Sequence, residues 1–350
     1  ARRELSIGGC RIADDTEAYT LAEAGSNGQG SLELTKQLIK VAALAGFSAF
    51  KLQKRNNPTL YTRSYYDQPY NSESAFGATY GRHREALEFD FDEYRELQIY
   101  AAEQGILFFA TAFDEISADF LYDLAVPAIK VASGDITNTP LLDCLAQLRV
   151  PLIVSTGTAN LEDVDRAVET IGKHHSNFAL LQCTAVYPAE PELLNLRVIE
   201  TYRERYPGIV IGLSSHLPAI WDATVAYVLG ARIIEKHVTL SRAMKGTDHA
   251  FSLEPEGQRA LIGELQRTKQ ALGDGVKVRL PQEAGAIEKM GKALVAARPL
   301  EAGQALFISD ITAKSPGGYP EPYKLSKYLG RRVPMALEED DVLPSTGEVC

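Results

Sequence analysis

Six histidines occur among 350 residues. Two of them, His216 and His237, close consecutive apolar runs at 209–214 and 233–238. If those runs are neighbouring strands, the two imidazoles could share one divalent cation. Imidazole with oxygen ligands suits Mn2+, Fe2+, Co2+ or Zn2+. The alternative is two unrelated loop histidines with local hydrogen bonds. Lys51 and Lys130 are charged residues inside apolar runs, where a lysine is rarely buried without a partner. They could pair with Glu23 or Glu235. They could also bind a phosphate monoester, helped by the hydroxyls of Thr111, Ser133, Ser155 and Ser214. A third use is a Schiff base. Glu23 ends the first strand-like run, and a carboxylate there could orient or deprotonate a metal-bound water. It could equally be a partner for a lysine. Gln53 shares a strand face with Lys51. Asp248 could hold substrate hydroxyls or could simply serve a turn. Trp221 and the tyrosines of the 56–88 stretch read as packing.

These residues need elements to position them. Short apolar runs alternate with amphipathic stretches. Strands are expected at 19–23, 48–53, 106–111, 128–133, 151–156, 178–184, 209–214 and 233–238. Helices are expected at 31–46, from the end of the insert to 105, and at 114–124, 140–148, 161–171, 191–206, 220–229 and 255–272. Near-continuous apolar strands with short loops point to a parallel sheet covered on both faces. Eight strand–helix units over such a length fit a (β/α)8 TIM barrel better than an open doubly wound sheet. Gly25, Gly28 and Gly30 are spaced as GxxGxG, which is not the dinucleotide-binding pattern. In a barrel the site lies at the C-terminal ends of the strands, where the residues named above fall. Past Gly273 the texture changes. Residues 1–273 read as the barrel and 274–290 as a linker. Residues 291–350 read as a small, mostly β domain, with β-like pieces at 293–296 and 305–308.

Composition narrows the class. The hydrophobic fraction is 45% and the charged fraction 23%, as in ordinary globular proteins. A net charge of -10 disfavours general nucleic-acid or anionic-membrane binding. A few local lysines could still hold an anionic substrate. No apolar run is long enough for a transmembrane helix, and no signal peptide is expected at the start. The four cysteines are scattered, without a CxxC pair, so neither disulfides nor a structural zinc site are expected. The expected compartment is the cytoplasm.

The ordered set of blocks resembles the sialic acid synthases, and the likeness runs over nearly the whole chain. The blocks are Ala22-Glu23-Ala24-Gly25 with Asn27, Lys51-Leu52-Gln53-Lys54, Tyr80-Gly81 with Leu87-Glu88-Phe89, and Lys130 to Asp135. Ser155-Thr156-Gly157, Gln182-Cys183-Thr184 with Tyr187-Pro188, Gly212 to His216, Glu235-Lys236-His237 and Gly246 to His249 follow. The insert and the Gln182-Cys183-Thr184 block are closer to the animal-type synthases. Leu300 to Gly303 and Gly317 to Pro320 resemble the family's antifreeze-like (SAF) domain. The resemblance implies condensation of phosphoenolpyruvate with N-acetylmannosamine or its 6-phosphate, to give N-acetylneuraminate or its 9-phosphate; the alternatives are a related nonulosonic-acid synthase using another sugar, of the KDN or legionaminic type, and a catalytically silent carbohydrate-binding homologue. It implies His216 and His237 as metal ligands, for Mn2+ first and Mg2+ or Co2+ next. It implies Lys51, Thr111, Lys130, Ser133, Ser155 and Ser214 as phosphoenolpyruvate contacts. Glu23 matches the catalytic carboxylate. Gln53, Asp135, Tyr187 and Asp248 match positions that hold the acceptor sugar. A homodimer is implied, with the small domain covering the partner's active site. Three positions depart from the pattern. Gly28 stands where the family usually has His, so that loop is expected to be less ordered. Ala185 removes a donor near the phosphate. Ser315 replaces an arginine of the bacterial capsule enzymes, which leaves the acceptor open.

Overall fold

The computed structural model describes residues 2–345. Tertiary contacts divide the chain into two compact units, Ala1–Gly273 and Asp274–Cys350.

The first unit opens with an antiparallel hairpin, β1 (Glu4–Ile7) and β2 (Cys10–Ala13). Leu5, Ile7 and Ile12 on one face of it are buried in the main core. Arg3 bonds the carbonyls of Arg203 and Ile209, and Arg232 bonds that of Asp14. The hairpin therefore seals the end where the strands begin.

Eight parallel strands then close a barrel. They are β3 (Tyr19–Glu23), β4 (Ala49–Lys54), β5 (Leu107–Ala112), β6 (Ile129–Val131), β7 (Leu152–Ser155), β8 (Phe178–Cys183), β9 (Val210–Ser215) and β10 (Ile233–His237). All eight strands expected from the pattern form, within a few residues of their expected ends. Each barrel strand is buried along nearly its whole length because helices cover the outside and side chains fill the inside. Helix ends carry ordinary punctuation. Ser31 accepts from Leu34 N, Gly46 closes the same helix at φ 97°, and Asp90 and Asn160 form capping boxes with Glu93 and Asp163.

Three expectations change here. The stretch 191–206 is not one helix. Pro191–Leu193 is a 3-10 turn, Asn195 has φ 42°, and only Val198–Arg205 is α-helical. The loop at Gly28 is packed rather than loose. Asn27 is fully buried and donates to Val238 O at 2.8 Å and Ser252 Oγ at 3.0 Å. A Cβ at Gly28 would come within 2.5 Å of Thr35 Oγ1, so a histidine there would not fit this packing. Trp221, expected to pack, starts an outer helix and is exposed. The insert tyrosines do pack as expected. Tyr61, Tyr65 and Tyr70 all contact Tyr80, with ring centroids 4.7–5.5 Å away.

In the second unit, β11 (Ala293–Ala296) pairs antiparallel with β12 (Ile311–Lys314) over a small core that includes Leu294, Leu300, Leu306 and Val333. The expected strand at 305–308 does not form. Ala305 makes one bridge to Arg332, and Ile308–Asp310 is a 3-10 turn with Ile308 exposed. The expected linker also holds structure, because Ala284–Met290 is helical. Ser315 Oγ donates to Gly291 O at 2.8 Å and accepts from Lys292 at 2.6 Å, so it serves the unit's own packing.

Lys236 shows how strictly the barrel sorts charge. It points outward from β10 and meets Asp222 of the helix Trp221–Val228 at 2.8 Å. Both are buried, and Lys236 also bonds Ser215 Oγ at 3.0 Å and Leu217 O at 3.1 Å. Removing one partner leaves a buried charge unpaired. Asp222→Ala should therefore cost about 3–5 kcal/mol, whereas Asp222→Leu with Lys236→Met should cost clearly less. Urea unfolding compares the two. Equal losses would assign the effect to packing rather than to charge.

Candidate active site at the C-terminal ends of the barrel strands

Strand register brings the expected residues together. Glu23 is level with Lys51 on one side and His237 on the other. Thr111 is level with Lys130 and Gln53, and Ser214 with Cys183 and Glu235. These residues point inward at the strand ends, which gives a polar floor within an apolar barrel.

The floor is a cluster of opposite charges. Lys51 pairs with Glu23 and lies 3.6 Å from Glu235 Oε1. Lys130 lies 3.9 Å from Glu235 Oε2. All four side chains are buried. Lys51 also donates to Thr111 Oγ1 at 2.8 Å, and Lys130 to Ser155 Oγ at 2.6 Å and Val131 O at 2.9 Å. The ion pairing left open by the sequence is thus real, and it leaves hydroxyls gathered around both ammoniums. Ser133 Oγ accepts from Gly157 N at 3.0 Å and, with Ser214, meets the Cys183 thiol. Ala185 packs near Gly157 rather than offering a donor.

The two carboxylates are driven apart. Burial, against the pull of Lys51, holds Glu23 above the usual carboxylate range. Burial also pushes Glu235 up, but Lys130 and Lys51 outweigh it and leave Glu235 below that range. Burial lowers Lys130. Glu23 accepts from Gly25 N and from Gln53 Nε2, both at 2.8 Å. Glu235 was named in the sequence only as a salt-bridge candidate, yet it sits between both lysines. Its position two residues before His237 on the same strand face was the available signal.

The imidazoles stand beside the cluster. The rings of His216 and His237 lie 5.4 Å apart, and Phe251 packs on both. His216 Nδ1 is 2.9 Å from Thr184 O. A proton on Nδ1 leaves Nε2 as a free lone pair. Among the described residues His237 Nδ1 is buried without a hydrogen-bond partner. Burial, then the neighbouring His237, lowers His216 to about 4. Burial likewise lowers His237. Two neutral imidazoles, one with an orphaned nitrogen, fit a metal ion. Among the described residues no group of three or more His, Cys, Asp or Glu could hold one. Any further ligands would therefore be water or substrate oxygens.

The remaining candidates line the rim. Asp248 accepts from Ser26 N at 2.8 Å, Ser26 Oγ at 2.9 Å and Thr247 Oγ1 at 3.0 Å. Burial pushes it up, but His237 and the Ser26 bonds outweigh that and hold it below its ordinary value. A Cβ on Gly25, at φ +55°, would overlap Asp248 Oδ2 and press within 3.0 Å of His237. Only glycine keeps that gap open. Tyr187 is 56% exposed, with its ring 4.0 Å from that of His216. Asp135 stands further round the rim, accepts from Asn138 at 3.1 Å, and is raised by burial. A cavity of about 610 Å³ lies at the opposite end of the barrel, lined by residues such as Phe47, Ile106 and Leu107. It brings no acid, base or imidazole together and is not the site.

Comparison with known proteins agrees with this fold. Residues 38–277 match the NeuB family model and residues 291–345 the SAF domain model. The chain is 38% identical to the N-acetylneuraminate-9-phosphate synthase of Homo sapiens, over 93% of this chain and 91% of that protein. It is 32% identical to the N,N'-diacetyllegionaminic acid synthase of Campylobacter jejuni, over 92% of this chain and 98% of that protein. The crystal structure of an N-acetylneuraminic acid (sialic acid) synthetase from Leptospira borgpetersenii superposes with a TM-score of 0.70 at 33% identity, covering 82% of this chain and 96% of that one. A family model spanning most of the barrel, with relatives alike over nine-tenths of the chain, shows that the protein belongs to the NeuB family.

Proposed function

We propose that the protein is a sialic acid synthase. It condenses phosphoenolpyruvate with N-acetylmannosamine or its 6-phosphate, and gives N-acetylneuraminate or its 9-phosphate with inorganic phosphate. The observation that carries this is the buried Lys51–Glu23–Glu235–Lys130 cluster ringed by hydroxyls beside two neutral imidazoles.

In this reading Lys51 and Lys130 receive the anionic groups of phosphoenolpyruvate. Thr111, Ser133, Ser155 and Ser214 complete the cradle. Fixed cations in a dry site stabilise charge far better than they would in water. Gln53, Asp135, Tyr187 and Asp248 hold the acceptor with its aldehyde over the enol. The enol electron pair forms the bond from C3 to the aldehyde carbon and leaves the aldehyde oxygen as an alkoxide. Water then adds at the electron-poor C2 and gives one proton to Glu23, which passes it on to that alkoxide. The C2–O bond to phosphate breaks as the C2 hydroxyl becomes the ketone, and its proton leaves with the phosphate. Glu23, held above the usual range, is suited to carry that proton, while Glu235 stays ionised and anchors both lysines.

His216 and His237 would hold a divalent cation, Mn2+ before Mg2+ or Co2+, which when bound would polarise the aldehyde carbonyl. A homodimer rests on the family resemblance. A cytoplasmic setting fits the free thiols of Cys10, Cys144 and Cys183. Among the described residues no helix is long and apolar enough to cross a membrane.

Two outcomes are expected. Glu23→Gln should keep phosphoenolpyruvate binding, read by calorimetry, while phosphate release falls on the order of 10²–10⁴-fold. A near-normal rate would remove Glu23 from proton transfer. Phosphate release should also stop with a chelator and return with Mn2+. His237→Ala should weaken metal binding, read by Mn2+ paramagnetic resonance, by at least about tenfold. Chelator-resistant turnover would remove the metal from the reaction.

A further inference from the structure

The two imidazoles of the site are held by different means. A metal-binding histidine normally has its second ring nitrogen fixed by a hydrogen bond, which sets the tautomer and the ring plane. His216 follows that rule, with Nδ1 2.9 Å from Thr184 O. His237 does not, because among the described residues its buried Nδ1 meets no hydrogen-bond partner. The plane of that ring is set by packing instead. The Tyr187 ring lies 4.0 Å from His216, His216 lies 5.4 Å from His237, and His237 lies 4.9 Å from Phe251. Phe251 also meets His216 at 5.9 Å and Tyr187 at 5.7 Å, so it touches all three.

The contacts are directional. Phe251 stands steeply to both imidazoles, at interplanar angles of 89° to His216 and 67° to His237. Aromatic rings favour that arrangement because their faces are negative and their edges positive. Gly25 bounds His237 as well, since a Cβ there would lie 3.0 Å from its Nδ1 and Cε1. The His237 ring thus sits in a slot walled by a glycine and two rings. Phe251 is itself fixed in place. It ends the 3-10 turn His249–Phe251 and is 4% exposed. Ser252 N donates to His249 O at 3.1 Å, and Asn27 donates to Ser252 Oγ at 3.0 Å. His249 Nδ1 lies 2.6 Å from Thr239 Oγ1. Leu253 N donates to His237 O at 2.8 Å, and Thr239 N donates to Leu253 O at 3.0 Å. The backbone that carries Phe251 is therefore tied to the backbone of His237 itself, so the two rings are held as one unit.

We infer that Phe251 is a positioning residue for the divalent cation, fixing the planes of the His237 and His216 imidazoles so that both present a lone pair to one ion. This rests on the reading of those histidines as metal ligands. Phe251 has no acid, base or polar donor to offer the reaction, so its part is to order the ligands before the ion arrives. An imidazole free to turn would have to be ordered at the moment of binding, and that cost would appear as lost affinity.

Two variants of the full-length chain test this. Phe251→Leu keeps an apolar side chain without a flat ring, and Phe251→Tyr keeps the ring. Mn2+ binding, read by paramagnetic resonance, should weaken on the order of 10-fold or more in Phe251→Leu and stay close to wild type in Phe251→Tyr. Phosphoenolpyruvate binding without metal, read by calorimetry, should hold in both. Unchanged Mn2+ affinity in Phe251→Leu, or an equal loss in Phe251→Tyr, overturns the assignment. A parallel loss of phosphoenolpyruvate binding would mark a general collapse of the site and overturns it as well. A wild type that binds no Mn2+ would instead sink the metal reading. Crystal structures of the metal-free wild type and Phe251→Leu still decide Phe251 in that case. One His237 ring orientation in the wild type and several in Phe251→Leu supports the role. Equal order in both overturns it, as does a disordered ring in the wild type.

Discussion

Two ammoniums and two carboxylates share the dry floor of this barrel, and the surrounding structure answers to that. Desolvating any one of these charges alone would cost several kcal/mol, so each must be met by an opposite charge or a hydrogen bond. Lys51 is met by Glu23, Glu235 and Thr111, and Lys130 by Glu235, Ser155 and Val131 O. No single strand could supply that set. Parallel register across β3, β4, β5, β6 and β10 is what places the partners side by side. A slip of one residue would turn the charges into the helical layer and the apolar side chains into the site.

The same alternation separates the charges inside the barrel from those outside it. Glu235 and His237 face inward, while Lys236 between them faces out and has its own counterion in Asp222. Inside, the environment divides labour between residues of one type. Glu235 feels two lysines and stays ionised, whereas Glu23 is dominated by burial and is held nearer to protonation. The imidazoles are kept neutral by the same dryness. Water reaching the floor from below would bring the carboxylates closer together in acidity and protonate the histidines over a wider pH range. The sealing hairpin and the packed core close that side of the barrel.

Legibility varied with the range of the forces involved. The barrel strands were readable because burial on both faces writes short apolar runs into the chain. His216, His237, Lys51 and Lys130 were readable because a polar residue inside such a run has few bland explanations. The helix expected at 191–206 failed because Asn195 takes a left-handed conformation that composition does not announce. The strand expected at 305–308 failed because an apolar run in a small domain can also be surface, as at Phe307 and Ile308. Gly28 looked like a loosened loop, but the space it leaves is already taken by Thr35.

What the sequence alone determined is local. It set the strand–helix rhythm, the change of texture after Gly273, and the residue types at the strand ends. Those follow from periodicity and burial, which act over a few residues at a time. The tertiary structure decided the partnerships. It chose ion pairing for Lys51 and Lys130, put Glu235 between them, and left His237 Nδ1 without a hydrogen-bond partner among the described residues. Charge–charge energies depend on distance and local dielectric, and both exist only once the barrel has closed.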